Sequence, residues 1–156
     1  ASPSTTAPRS RKTRLVTPLF FEMGSMKIIK KKVNFKDARG TITDIFVHEP
    51  QEHCTIIFTK KGGIRGNHYH KLSAQTDFLI SGKFKVFSRK MPNGKIQTST
   101  WKPYELITWD PSEAHEFIAL EDSILITFVN GLRGGDDFEK DTYRLETPLH
   151  IGIKRQ

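Results

Sequence analysis

From Lys27 onward the apolar residues fall in short clusters broken by turn residues, and no stretch keeps a helical period beyond two turns. Runs rich in Ile, Val, Phe and Thr predict ten strands. They are Lys27–Val33, Thr41–Val47, Cys54–Thr59, Gly66–His70, Asp77–Ile80, Lys83–Arg89, Lys95–Thr100, Leu106–Trp109, Glu116–Leu120 and Ile124–Val129. Turns are marked by Ala38-Arg39-Gly40, Lys61-Gly62-Gly63, Pro92-Asn93-Gly94 and Asp110-Pro111. Asn93-Gly94 signals a hairpin, since both residues tolerate the positive φ that tight hairpins use. The run Lys83–Arg89 alternates, which sets Phe84, Val86 and Ser88 on one face and Lys83, Lys85 and Phe87 on the other. Many short strands with regular turns predict an all-β sandwich, jelly roll or barrel.

Residues 1–25 carry no such pattern until Leu19-Phe20-Phe21; they are basic, rich in Ser, Thr and Pro, and hold Glu22 as their single acid. They read as a flexible leader or tag, or as a targeting extension, which leaves residues 26–156 as one domain. A chain of 156 residues has room for one sizeable core and not for two. The formal net charge of +8 invites a nucleic-acid reading, but the basic clusters Arg9–Arg14, Lys30–Lys32 and Lys60-Lys61 have no accompanying aromatic stripe or motif. No nucleic-acid partner is expected, and a basic rim also suits a phosphorylated small molecule. No apolar run approaches the roughly 20 residues that a spanning helix needs, so no membrane partner is expected either. Cys54, the one cysteine, cannot form an internal disulfide; set in Cys54-Thr-Ile-Ile-Phe58, it reads as a core thiol in a reducing, cytoplasmic setting.

The candidate chemistry lies in Gly62-x5-His68-x-His70-x4-Gln75-x6-Gly82. On a strand, His68 and His70 share a face about 7 Å apart along the chain. Inside a barrel that face is the cavity. Trp109-Asp-Pro-Ser-Glu-Ala-His115 brings a third histidine after a turn, at the start of another strand. Three imidazoles and an amide converging in a cavity can hold a divalent metal. The same groups can instead hold a sugar and move protons. His48, His53 and His150 have no such company and read as incidental.

These residues resemble the cupin superfamily, with Gln75 where many cupins carry glutamate and Asp110-Pro111-Ser112 opening the second motif. Asp37-x-Arg39-Gly40 followed by Ile64-Arg-Gly-Asn-His-Tyr-His-Lys71 is similar to the sugar-nucleotide branch. That branch holds the deoxysugar 3,5-epimerases, the nucleotide-sugar 3,4-ketoisomerases (WxcM-like proteins) and the cupin domain of capsular polysaccharide enzymes. His115-Glu116 matches a pair in the ketoisomerases' second motif. The resemblance spans about residues 35–145 and implies a cupin jelly roll, the double-stranded β-helix barrel.

It further implies an isomerase or epimerase acting on a keto-deoxysugar nucleotide. His68 would be the base and His70 its partner acid or base. Arg65, Asn67, Lys71, Gln75 and His115 would contact substrate, Arg65 through its diphosphate. No cofactor is required on that reading. The alternative expectation is a metal cupin with His68, His70, Gln75 and His115 around zinc, iron, nickel or manganese. A non-catalytic sugar-binding cupin is the third expectation. Phe128 stands where the 3,5-epimerases use a tyrosine and cannot protonate an enolate, which counts against that mechanism. Tyr69 alternates away from the histidines, and Tyr143 is open between cavity and packing. A homodimer is expected, because small cupins usually pair and open sheet edges need covering.

Overall fold

The structure is a computed structural model that describes residues 26–132, 135–137 and 139–153; the expected leader, residues 1–25, lies outside them. Twelve strands are present among the described residues: β1 (Lys27–Lys30), β2 (Phe35–Asp37), β3 (Gly40–Ile42), β4 (His53–Thr59), β5 (Ile64–Tyr69), β6 (Ala74–Ser81), β7 (Phe84–Lys90), β8 (Gln97–Trp101), β9 (Glu105–Trp109), β10 (Glu113–Ala119), β11 (Ser123–Asn130) and β12 (Tyr143–Arg144). A single helical turn, α1 (Leu149–Gly152), follows. One five-stranded sheet runs β1-β9-β6-β11-β4 and a second runs β12-β5-β10-β7-β8, all pairs antiparallel. β2 and β3 form a separate hairpin.

The core is what alternation dictates. Leu79, Ile107, Trp109 and Leu125 from the first sheet meet Phe84, Val86, Trp101, Phe117 and Ala119 from the second, all buried. Phe84 and Val86 face inward as the alternation predicts, with buried Ser88 continuing the same face. Phe87, on the opposite face, is buried as well, because Leu149 of α1 and Ala114 pack over it. Burial of such large side chains contributes about 1.5–3 kcal/mol each. All ten predicted strands overlap observed ones.

Several details differ. The strand expected over Thr41–Val47 stops at Ile42, and Phe46 beyond it sits edge-on against Phe128, ring centroids 4.8 Å apart. The β7–β8 hairpin exists, but neither Asn93 nor Gly94 takes a positive φ. A six-residue connection with a cis Met91–Pro92 bond makes the turn, and the amide of Gly94 donates to the Lys90 carbonyl at 2.7 Å. Cys54 is exposed, not a core thiol. It pairs with Phe128 on the outer face of β4 and β11, beside Ile56 and Phe58, which are 54% and 63% exposed.

Candidate functional site

His68 on β5 pairs across the sheet with His115 on β10, and His70 follows two residues on. The shared face predicted for His68 and His70 is observed. Ring centroids are 4.9 Å apart for His68 and His70, 4.8 Å for His68 and His115, and 5.7 Å for His70 and His115. One nitrogen from each of the three falls within 4.8 Å of the others. His70 and His115 are buried and His68 is half-buried.

Gly66 makes this approach possible. Its φ is +83°, and a Cβ there would stand 2.5 Å from the carbonyl oxygen of His115. The β5–β10 ladder is irregular between His115 and Glu116, at the place where the glycine passes.

Each imidazole has its Nδ1 on a main-chain carbonyl: His70 on Asp141 at 2.7 Å, His68 on Gly66 at 3.2 Å, and His115 on Glu113 at 3.2 Å. A carbonyl oxygen only accepts, so each Nδ1 carries a proton, and in the neutral ring the lone pair is then on Nε2. Three neutral rings of that tautomer make a set of nitrogen donors. Trp109 stacks on His115 at 4.8 Å with 25° between planes, and Phe117 stacks on the same ring at 5.7 Å. The cluster therefore has apolar walls on one side.

Gln75 lies on β6 with its amide buried in the barrel, opposite Trp109. Its Nε2 donates to Asp77 Oδ2 at 2.7 Å. Asp77 also accepts from Trp109 Nε1 at 2.6 Å and from Thr127 Oγ1 at 2.6 Å. The other expected contacts turn elsewhere. Arg65 reaches back to β4, donating to the Phe58 carbonyl at 3.0 Å and to Thr59 Oγ1 at 3.3 Å. Asn67, at φ +58°, donates to the Leu145 carbonyl at 3.0 Å. Lys71 places its ammonium 3.9 Å from the Tyr143 ring centroid.

Tyr69 points away from the histidines, as its alternation predicts, and stacks on Tyr143 at 5.3 Å, which gives Tyr143 a packing role. Phe128 also faces out, while its neighbour Thr127 reaches Asp77 inside. Arg144 pairs in register with His68 and binds Glu139 through two bonds of 2.6 and 2.8 Å. That guanidinium, first through its hydrogen bonds, holds Glu139 below the ordinary carboxylate range. A cavity of about 400 Å³ lies beneath the C-terminal segment, among Tyr69, Arg89, Met91, Ile96, Leu145 and Leu149. Arg89 sits on the face of β7 opposite inward Ser88, so this cavity belongs to the far side of the sheet from the histidine cluster.

Sequence reasoning gave no role to three carboxylates, although it named Glu116 in the His115-Glu116 pair. Asp77 was legible as an acid interrupting an apolar strand. Asp141 and Glu116 were not, because their partners are distant. Asp141 accepts the amide N–H groups of Lys71, Leu72 and Ser73 at 2.9, 3.0 and 2.7 Å. Glu116, fully buried, accepts from the amides of Leu149 and His150 and from His150 Nδ1 at 2.5 Å, so His150 is not incidental. Asp37 and Arg39 of the shared pattern close the β2–β3 turn on each other at 2.6 Å.

The family model described as "Polysaccharide biosynthesis C-terminal domain" matches residues 35–143. Comparison with curated protein sequences gave no match. Among solved structures, the dTDP-4-dehydrorhamnose 3,5-epimerase of Sulfolobus tokodaii is 28% identical, with a TM-score of 0.58, over 67% of this chain and 69% of that one. The capsular polysaccharide assembling protein CapF of Staphylococcus aureus is 25% identical with a TM-score of 0.55, over 76% of this chain. Only 33% of CapF is covered, so the chain spans about a third of that protein. A 3,4-ketoisomerase from Helicobacter canadensis shares the fold at 16% identity and a TM-score of 0.63, over 83% of this chain and 97% of that one. With its paired antiparallel sheets and inward histidines, the chain has the cupin jelly roll of the sugar-nucleotide enzymes and belongs to the polysaccharide biosynthesis C-terminal domain family.

Proposed function

We propose that the chain acts on a keto-sugar nucleotide as an isomerase or epimerase, moving a proton at a carbon next to the keto group. The observation that carries this reading is the inward cluster of His68, His70 and His115 in a cupin barrel of this family. With Nδ1 of each ring held on a carbonyl, Nε2 is the basic atom turned toward the cluster. On the metal-free form, His68 Nε2 removes the proton and His70 returns it, which keeps the transfer between groups on one strand face.

A second form of the reading is favoured by the tautomers. A backbone carbonyl on the second nitrogen is the usual support of a metal-bound histidine, and here all three rings have one. His68, His70 and His115 fit a divalent cation, and Gln75, which lies opposite the Trp109 that stacks on His115, would be the oxygen donor. Such a cation, when bound, supplies Lewis-acid polarisation of a keto oxygen and so acidifies the adjacent C–H. The chain's own part is to fix the rings, to keep Gln75 oriented through Asp77, and to shield one side with Trp109 and Phe117.

Incubation of the protein with dTDP- or UDP-linked 4-keto-6-deoxyhexose in deuterated water tests the function. Deuterium should enter the sugar with wild type and not with His68→Ala. Elemental analysis of wild type and His115→Ala separates the two forms: a metal present in the first and lost in the second supports the cation. If no deuterium enters and neither nucleotide raises the melting temperature, the proposed function is wrong.

A further inference from the structure

The cavity of about 400 Å³ on the outer face of the second sheet takes no part in the chemistry above. It adjoins the small outer core of Phe87, Ala114 and Leu149, which Tyr69, Met91, Ile96 and Leu145 extend. Residues 144–149 of the C-terminal segment close one side. Arg89 enters this apolar setting from β7. Its Nε is buried and has no hydrogen-bond partner among the described residues, and its Nη2 lies 3.7 Å from the Met91 sulfur.

The neighbouring charges leave Arg89 uncompensated. Arg144, the other cation of the lining, has both terminal nitrogens on Glu139. Glu116, on the same outer face, is taken up by the amides of Leu149 and His150 and by the His150 ring. Glu146 also lines the cavity, but it is exposed, and no ion pair joins Arg89 to it or to any other acid among the described residues. A buried cationic N–H without an acceptor is unfavourable, and a bound anion removes that cost. Nε and Nη2 share one edge of the guanidinium, the fork that a carboxylate fits with two parallel bonds.

We propose that this cavity is a second small-molecule site, which takes an organic monocarboxylate with an apolar body. The carboxylate sits on the Nε–Nη2 edge of Arg89, and the body lies against Tyr69, Met91, Ile96 and Leu145. One uncompensated guanidinium balances one negative charge, and Glu146 at the rim disfavours a dianion such as a phosphate monoester. The volume is at the small end of ligand pockets, which suits a body of one or two rings. The site is independent of the function proposed above, since the histidines occupy the opposite face of the same sheet.

Benzoate is the probe, with benzamide as its uncharged counterpart of the same shape. Each is titrated into the full chain labelled with 13C-methyl methionine. The Met91 methyl resonance should shift with benzoate and saturate with a Kd of about 5 mM or tighter, the range that ligand efficiency sets for so small a molecule. The Met26 methyl, which packs against the inner core, should stay in place. Benzamide should bind wild type at least about 10-fold more weakly than benzoate, as loss of a charge-assisted pair requires. Arg89→Gln should weaken benzoate by the same factor; should that variant fail to fold, the benzoate–benzamide difference in wild type still decides. A Met91 resonance unmoved at about 50 mM benzoate, ten times the expected Kd, overturns the inference. So does benzamide binding as tightly as benzoate, or an Arg89→Gln affinity equal to wild type. None of these results bears on deuterium exchange at the histidines.

Discussion

Asp141→Ala is the sharpest probe of how the C-terminal segment supports the histidines. Asp141 is buried, and its carboxylate accepts three consecutive amides, those of Lys71, Leu72 and Ser73. Its main-chain carbonyl holds Nδ1 of His70. Lys71 and Leu72 are exposed, so their freed N–H groups can turn to water at little cost. Ser73 is buried, and leaving its amide unpaired costs about 1–3 kcal/mol. With the lost charge-assisted bonds, the total comes to about 2–4 kcal/mol. At about 2–4 °C per kcal/mol for a chain of this size, the melting temperature should fall by roughly 4–16 °C.

The sign of the pH dependence follows from the same contacts. Burial pushes the Asp141 carboxyl up, but the amides of Lys71, Ser73 and Leu72 outweigh it and hold the group below its ordinary 3.8. A carboxyl lowered in the folded state stabilises fully above its unfolded pKa, and that contribution is lost as pH falls through the folded value. The stability gap between wild type and Asp141→Ala should therefore be constant above about pH 5 and narrow below the ordinary value. Urea unfolding at pH 7 and at decreasing pH measures both quantities. A gap under about 0.5 kcal/mol at pH 7, or one that widens on acidification, would refute the clamp.

Three further outcomes follow from other parts of the fold. Gly66→Ala should cost more than about 1 kcal/mol in urea unfolding, because the residue has φ +83° and its Cβ would meet the His115 carbonyl; a stability equal to wild type would mean that β5 and β10 do not approach as described. Glu113 is raised above its ordinary 4.5, chiefly by burial and against its bond to Ser88, so the folded state holds this proton more tightly than the unfolded one. Glu113→Gln should then gain stability over wild type at pH 7, with the gain shrinking as pH falls through the raised pKa toward pH 4. Cys54, being exposed, should react with a thiol reagent in the native protein; protection without denaturant would mean that the face of Cys54, Ile56 and Phe58 is covered in the full protein.

The strands were legible because short runs rich in Ile, Val, Phe and Thr are set off by turn residues, and in Lys83–Arg89 alternation also gave the faces. Phe84, Val86 and Ser88 could be assigned to one face from the sequence, and that face is buried. The short β2 was not legible, since Phe35–Asp37 pairs with β3 alone and has no apolar period to betray it. Cys54 misled because an apolar run on an edge strand looks the same whether its faces are covered or not; among the described residues β4 pairs only with β11, and its outward Cys54, Ile56 and Phe58 are exposed. At the site, the histidines were legible from spacing within one strand. Arg65, Asn67 and Lys71 lie in the same motif, yet their side chains bind β4, the C-terminal segment and Tyr143. Adjacency in a motif fixes which strand carries a residue; it does not fix where a long side chain finds its partner.

The pair His115-Glu116 shows why a motif can carry two functions that sequence reads as one. Neighbours on a strand face opposite ways. His115 turns in to the cluster, while Glu116 turns out and accepts the first amides of α1 and the ring of His150. The C-terminal segment is thereby tied to both histidine strands: by Asn67 and Leu145 at β5, by Asp141 at His70, and by Glu116 at β10. The Asp141 carbonyl binds the His70 ring itself, while the Asn67 and Glu116 ties constrain the backbone that sets an imidazole. Two of the three carbonyls that fix the tautomers, those of Gly66 and Glu113, belong to the histidine strands themselves; the third, the shortest bond, belongs to the C-terminal segment. His70 is thus the histidine whose orientation depends on a contact 71 residues away. A change in this segment should act first on His70 and only later on His68 and His115.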